Sequence, residues 1–258
     1  MNLKNIIREL VLATKVAFIN GNPKLVGRVY GLFWKPKSVI EKRIDIVSKG
    51  INEFRFLQIG TNDGIINDPI LKFILRDDWE GTRIEPLPAP FKTLNKLHKS
   101  NRKVKTLQTL VANTAGVLPL YHLSFSNKRW ATGLSSLSKQ NLERLIDMGY
   151  IEKRALKYGD PLPPNKADWI AEIELEVVEI NQLIEIEFEG SLQLIQIDTE
   201  GFDHVLVNAL NLEKLNVQMI CFEKIHVPKE ALEACLTRLR NFGYELLETD
   251  LDILAIKR

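Results

Sequence analysis

From residue 54 onward, short apolar runs alternate with stretches of helical periodicity, and few folds accept that alternation. FRFLQI (54–59) reads as a strand, 66–76 as a helix, the middle of GTRIEP (81–86) as a strand and 89–99 as a helix. KVKTLQTLV (103–111) reads as a third strand and LPLYHLSF (118–125) as an extra extended piece. The spacing predicts a helix over 136–148 with Ser138 as its N-cap, and Pro161, Pro163 and Pro164 predict an irregular segment over 149–170. IELEVVEI (173–180) is extended. LQLIQID (192–198) and VQMICFE (217–223) read as buried strands with a helix over 203–210 between them. A helix over 229–242, stopped by Gly243, precedes YELLET and DILAIK, which form a closing hairpin around 249–251. Such a chain builds a mainly parallel sheet with helices on both faces. A closing strand pair after the last long helix suits a sheet whose last strand inserts antiparallel.

The strand ends carry the polar signals. LQIGTNDG places Gly60, Thr61, Asn62, Asp63 and Gly64 in a turn between a strand and a helix, where glycines let the backbone take positive φ and let a ligand come close. The spacing is not that of a dinucleotide-binding glycine motif, and no phosphate-binding Lys-Ser/Thr follows. Glu85 ends the next strand, where an acid can accept hydrogen bonds from both hydroxyls of a ribose. A ribose-bearing cofactor without phosphates fits this pair, and S-adenosylmethionine is one. Asp198 and Glu200 leave the strand QIDTEG, and Glu223 ends CFEKIH with His226 behind it. Unpaired buried acids are costly, so these face solvent, a ligand or a partner, or cap the following helix through Asp198 or Asp203. In a parallel sheet Glu85, Asp198, Glu200, Glu223 and His226 share one edge.

The first fifty residues differ. They carry ten Lys/Arg against three acids, a charge of +7, which leaves −5 on residues 51–258 of a chain with net charge +2. Leu3, Ile6, Ile7, Leu10, Val11 and Ala17 recur at helical spacing with cations between them. Such a helix lies on an anionic membrane surface or, as the plainer reading has it, packs on the domain or a second subunit. GNPK (21–24) ends it, and a second helix is expected over 38–49. Residues 1–50 are thus a basic helical extension to a domain over 51–258. No run of 18 apolar residues predicts a spanning helix. Two cysteines, Cys221 and Cys235, in apolar settings, without a disulfide or metal spacing, suit a reducing cytoplasm.

With LQIGTNDG, GTRIEPLPAPFKTL, LVANTAG followed by LPLY, LSSL, IQIDTEGFDHVLVNAL and ICFEKIH in this order, residues 54–258 resemble the FkbM family of S-adenosylmethionine-dependent methyltransferases. The resemblance implies a Rossmann-like class I methyltransferase fold with a seven-stranded sheet. It implies that Gly60, Thr61, Asn62, Asp63 and Gly64 line the methionine end of the cofactor, that Glu85, followed by Pro86, meets the ribose, and that the turn of Val111, Ala112 and Asn113 lies near the adenine. It places Asp198 and Glu200 at the methyl-transfer site and implies O-methylation of a sugar, glycan or natural product. One departure stands out: related methyltransferases often carry an acid where this chain has Gln58. Gln58 can still accept a hydrogen bond, and Asp63 offers the missing charge.

The expected general base is Asp198, Glu200 or His226, of which His226 has the ordinary pKa nearest neutrality. Asp198, Glu200 and Glu223 also offer hard oxygen ligands, although no metal is expected to be required. Segment 124–170, with Trp130 among polar residues, is expected to form a lid over the acceptor. The rival readings are a non-catalytic binding or assembly protein that keeps the fold, a nucleotide-sugar-modifying oxidoreductase, which the missing third glycine disfavours, and an RNA methyltransferase. The acidic balance of 51–258 speaks against nucleic acid as a partner.

Overall fold

The computed structural model describes residues 3–258. Three helices open the chain: α1 (Leu3–Gly21), α2 (Pro23–Phe33) and α3 (Val39–Ser48). Met1, Asn2 and the side chains of Leu3 and Ile6, counted above in the apolar pattern, lie outside the described residues. The break at GNPK falls on Asn22. The periodicity did not predict α2, which starts with Pro23 in its first turn, where a missing N–H costs nothing. A capping box fixes α3: Ser38 Oγ accepts from the Glu41 N–H and Glu41 Oε2 from the Ser38 N–H, both at 3.0 Å.

The strand–helix alternation follows with β1 (Arg55–Ile59), α4 (Leu71–Arg76), β2 (Glu80–Ile84), α5 (Pro88–His98) and β3 (Val104–Leu107). The helix predicted over 66–76 is shorter than expected. Pro69 disfavours helical geometry in the residue before it, and Asp68 Oδ1 accepts the N–H groups of Ile70 (3.1 Å) and Leu71 (2.6 Å) at the new start. The strand predicted over 103–111 divides. β3 pairs with β2, and the chain then changes partner at Gln108–Thr109.

β4 (Leu110–Ala112), β5 (Gly116–Leu123) and β6 (Ile170–Glu179) form a second, three-stranded sheet of order β4-β6-β5. Between β5 and β6 come α6 (Arg129–Thr132), α7 (Lys139–Asp147) and α8 (Tyr150–Tyr158). α8 corrects the irregular reading of 149–170. It runs between Gly149 and Gly159, both left-handed, and buries Ile151 and Ala155, while the prolines lie beyond its end. Ser138 occupies the N-cap position of α7 without a side-chain capping bond. α9 (Ile180–Phe188) was also unpredicted; β6 runs directly into it, and Glu179 caps it by accepting from the N–H groups of Asn181 (3.0 Å) and Gln182 (2.8 Å).

β7 (Leu194–Ile197), α10 (Asp203–Ala209), β8 (Met219–Glu223), α11 (Lys229–Asn241), β9 (Tyr244–Glu248) and β10 (Asp252–Lys257) complete the chain. The main sheet has the order β3-β2-β1-β7-β8-β10-β9. β10 is antiparallel to both neighbours, and the other pairings are parallel. This is the Rossmann-like class I methyltransferase order, with its inserted last strand. The order reverses between β1 and β7, and ligands of open α/β sheets bind beyond the strand ends at such a point. Helices α9, α10 and α11 pack on one face over Ile195, Ile220 and Ile253; Ile40, Ile44, Phe73 and Trp79 cover the other.

A charged group, Arg83 on β2, is fully buried within the fold. Its guanidinium donates to Gln58 Oε1 (2.8 Å), to the Gly64 carbonyl (3.2 Å) and to Asp68, and its Nη1 lies 2.7 Å from His98 Nε2. Burial and the adjacent Arg83 hold His98 well below its ordinary pKa, so its neutral ring can accept from Arg83. Asp68→Ala leaves Arg83 buried without its counter-charge and should cost about 3–5 kcal/mol in urea unfolding. A loss below about 1 kcal/mol would mean that the network does not brace β1 and β2.

Candidate functional site

A cavity of about 350 Å³ opens at the carboxyl ends of β1, β2 and β7, where the strand order reverses. Its position follows from a close approach. The Gly60 N–H bonds the Ile84 carbonyl at 3.1 Å, and the Asp198 N–H bonds the Ile59 carbonyl at 3.0 Å. A Cβ on Gly60 would lie 1.7 Å from the Asp198 carbonyl oxygen, and Gly60 has φ +77°. Only glycine fits there.

One wall is the glycine turn and the tip of β2. Gln58, Gly60, Thr61, Asn62, Glu85 and Pro86, all expected cofactor contacts, line the cavity. Glu85 is buried, and both its oxygens are in use: Oε2 accepts from the Asn62 N–H at 2.7 Å and Oε1 from the Leu87 N–H at 2.9 Å. Burial raises its pKa to about 7, against the pull of those two bonds. Glu85 therefore holds the glycine turn as well as facing the cavity. Val111, with Ile84, Leu110 and Leu120, supplies an apolar side.

Other expected cofactor contacts lie elsewhere. Gly64 is not in the cavity wall; its Cα faces Leu94 and Arg83. Ala112 and Asn113 lie outside the wall as well. Asp63 points its carboxylate away, accepting from the N–H groups of Ile65 (2.8 Å) and Ile66 (2.9 Å) and pairing with Arg129 at 3.1 Å. It is not the stand-in for the acid missing at Gln58. The Gln58 amide is itself held by Arg83 and by Asp68, to which it donates at 3.0 Å. Asp68, which the sequence did not single out, reaches the cavity wall there.

The opposite wall is acidic. Asp198, Glu200 and Glu223 all line the cavity. Asp203 is fully buried and shapes the turn instead: its carboxylate accepts from the Thr199 hydroxyl (2.9 Å) and from the N–H groups of Gly201 (3.2 Å) and Glu223 (3.3 Å). Glu200 is left-handed, φ 52°. Its carbonyl accepts from Ser136 Oγ at 2.8 Å and Asn141 Nδ2 at 2.9 Å, which ties the 124–170 segment to the acidic turn. The LSSL motif explains this: Ser135 and Ser136 enter the cavity wall together with Thr132 and Arg129. Trp130, expected to meet the acceptor, is buried in that segment's own core. It donates Nε1 to Asp160 at 2.7 Å and stacks on Tyr158.

Among the described residues, the Asp198 carboxylate has no hydrogen-bond or ion-pair partner. Solvent reaches it through the cavity although protein surrounds it. The surrounding protein, then Glu200, Asp203, Glu223 and Asp252, raise its pKa above its ordinary value. Glu223 Oε2 is also buried without a partner, and burial with the neighbouring acids raises Glu223 to about 8. His226 Nε2 sits 3.4 Å from Glu200 Oε2, and Arg144 contacts its Nδ1 at 2.6 Å. An Arg can only donate, so the neutral ring carries its proton on Nε2, toward Glu200. That leaves no free lone pair for a substrate proton. Glu200, Glu223 and His226 bring one ligand atom each within 4.8 Å of one another, but a metal on Nε2 would have to displace that same proton.

Residues 58–246 match the methyltransferase FkbM domain. No curated protein matches the chain in sequence. Among solved structures, precorrin-6y C5,15-methyltransferase from Geobacter metallireducens GS-15 is 13% identical, with a TM-score of 0.39 over 87% of this chain and 92% of its own. The fibrillarin/Nop5p complex is 13% identical, with a TM-score of 0.39 over 83% and 78%. Human methyltransferase 10 domain containing protein is 10% identical, with a TM-score of 0.36 over 80% and 72%. The strand order of the main sheet defines the fold.

Glu85 at about 7 and Glu223 at about 8 both lie above their ordinary 4.5. Over that interval the folded chain binds more protons than the unfolded one. The stability these groups contribute is full below about pH 4.5 and is lost as the pH rises through about 7 and 8. Urea unfolding between about pH 5 and pH 8 should therefore show a shallower loss for Glu223→Gln than for the wild type. Parallel curves would mean that Glu223 ionises normally in the folded protein.

Proposed function

This chain belongs to the FkbM methyltransferase domain family, matched over residues 58–246, and on that premise we propose that it is an S-adenosylmethionine-dependent O-methyltransferase acting on a hydroxyl of a sugar, glycan or natural product. The observation that carries the reading is the partnerless carboxylate of Asp198, set in the cavity opposite Glu85.

The family implies a cofactor of the S-adenosylmethionine type, and the residues present fit one. Each Glu85 oxygen spends one lone pair on a backbone N–H and keeps another for a ribose hydroxyl. The apolar side at Val111, Ile84 and Leu110 suits a flat base, and Asp68 and Gln58 give the other end of the wall its polarity. When bound, S-adenosylmethionine supplies an electrophilic methyl group on a sulfonium centre. The acids of β7 and β8 make the neighbouring wall favourable to positive charge.

The protein's own work is alignment and proton removal. A hydroxyl is a weak nucleophile until its proton leaves. Asp198 is the base, because its carboxylate faces the cavity, has no partner among the described residues and has its pKa raised by its surroundings and the neighbouring acids. Glu200 is engaged by His226, and His226 acts on Glu200 rather than on substrate. Ser135 Oγ, buried without a partner among the described residues, lines the same cavity and suits a hydroxylated acceptor, with segment 124–170 closing over it. A polyanionic acceptor is disfavoured, since Asp198, Glu200 and Glu223 would repel phosphates.

The test is transfer of a labelled methyl group to a panel of sugars, glycans and hydroxylated small molecules. The label should appear on hydroxyl oxygen, and Asp198→Asn should lower kcat by about 10²–10⁴. His226→Ala should cost far less. Label on nitrogen or carbon, or an Asp198→Asn enzyme within a few-fold of wild type, would contradict the assignment.

A further inference from the structure

Methyl transfer makes no use of α1 and α2, the first two helices, yet their outer faces are unlike ordinary protein surface. Both helices lay one face on the domain. Leu12, Val16 and Ile19 of α1 and Val26 and Tyr30 of α2 pack with Leu71, Leu75 and Leu97. Each helix then carries a second apolar stripe on the side away from that cluster. On α1 the stripe is Ile7, Leu10, Val11 and Phe18, at i, i+3, i+4 and i+11. On α2 it is Leu25, Val29, Leu32 and Phe33, at i, i+4, i+7 and i+8. Leu10 is 61% exposed, Phe18 55%, Leu32 76% and Phe33 81%. Exposed apolar stripes of this kind mark a binding surface.

The charges around the stripes select the partner. Lys15, Lys24, Arg28, Lys35 and Lys37 are all exposed, and Glu9 is the single acid between residues 7 and 37. The remainder of the chain, residues 51–258, is net acidic. A second copy of this face would meet it with like charge, which disfavours self-association. Among the described residues no helix is long and apolar enough to cross a membrane. Apolar stripes flanked by lysine and arginine, on helices that do not span, lie in the interfacial plane of a bilayer. There the apolar side chains enter the acyl boundary and the cations meet anionic headgroups.

We propose that α1 and α2 form a docking platform for an anionic phospholipid bilayer, with Phe18, Leu32 and Phe33 inserting and Lys15, Lys24 and Arg28 on the headgroups. The acidic remainder of the chain, repelled by the same surface, favours an orientation with the helices down.

The experiment is co-sedimentation of the full chain with vesicles of equal parts phosphatidylcholine and phosphatidylglycerol, and with pure phosphatidylcholine vesicles. Binding should occur to the anionic vesicles and fall with added salt. Phe18→Ser with Phe33→Ser, and separately Lys15→Glu with Lys24→Glu and Arg28→Glu, should each weaken it by about tenfold or more. The charge-reversal set alters only exposed side chains, so it keeps the test open if the serine pair folds poorly. No binding to anionic vesicles, or equal binding to neutral ones, would overturn the proposal. So would a stable dimer in solution that the phenylalanine substitutions dissociate, because the stripes would then be its interface.

Discussion

The residues that follow β1 and β7 lie closer together than any side chain allows, and the site depends on that approach. Gly60 takes a positive φ directly against the Asp198 carbonyl. Beyond this point the two chains turn apart, one into the glycine turn and the other into the acidic turn, and the cavity is the space between them. Glu85 fixes the first turn through the Asn62 N–H, and Asp203 fixes the second through Thr199, Gly201 and Glu223. A buried carboxylate thus organises each wall, and both are raised in pKa by the burial that makes them rigid. The architecture accepts an electrostatic cost to position backbone, as functional sites commonly do.

The consequence is a cavity with two chemically different sides. The β2 side offers hydrogen-bond acceptors already anchored to the backbone. The β7–β8 side concentrates Asp198, Glu200 and Glu223, with Asp203 and Asp252 behind them, and His226, Arg144 and Arg129 nearby as partial balance. Such a surplus is tolerable when some of the acids hold protons or when a cation is bound. Both conditions suit the site as proposed, which would receive a sulfonium and remove a proton from a hydroxyl.

Much of this was legible because strand tips are punctuated in sequence. An acid or a glycine after an apolar run has few structural uses, so Gly60, Glu85, Asp198, Glu200 and Glu223 stood out, and the parallel alternation placed them on one edge. What escaped reading was settled by partners distant in sequence. KVKTLQTLV has uniform strand propensity, and nothing in it marks where β3 ends on one sheet and β4 begins on another. α8 buries only two side chains in its own small cluster, so its periodicity was weak beside the nearby prolines. Gly64 and Asp63 looked like ligand contacts, but Arg83 and Arg129, from other segments, claim their surroundings. Asp68 and Ser136 carry no tip signal; they reach the cavity because Arg83 holds one and the Glu200 carbonyl the other.

The most direct measurement of the central claim is calorimetric titration with S-adenosylmethionine, comparing wild type with Glu85→Gln. Glutamine keeps the size of the side chain but puts an NH2 where one oxygen accepts a backbone N–H, so urea unfolding of the variant is measured alongside, and a loss of binding at near wild-type stability reports on the ligand contact. The account predicts roughly micromolar affinity for the wild type and a loss of tenfold or more in Glu85→Gln. A folded wild-type protein that binds no S-adenosylmethionine, or a Glu85→Gln variant that binds it equally well, would contradict it.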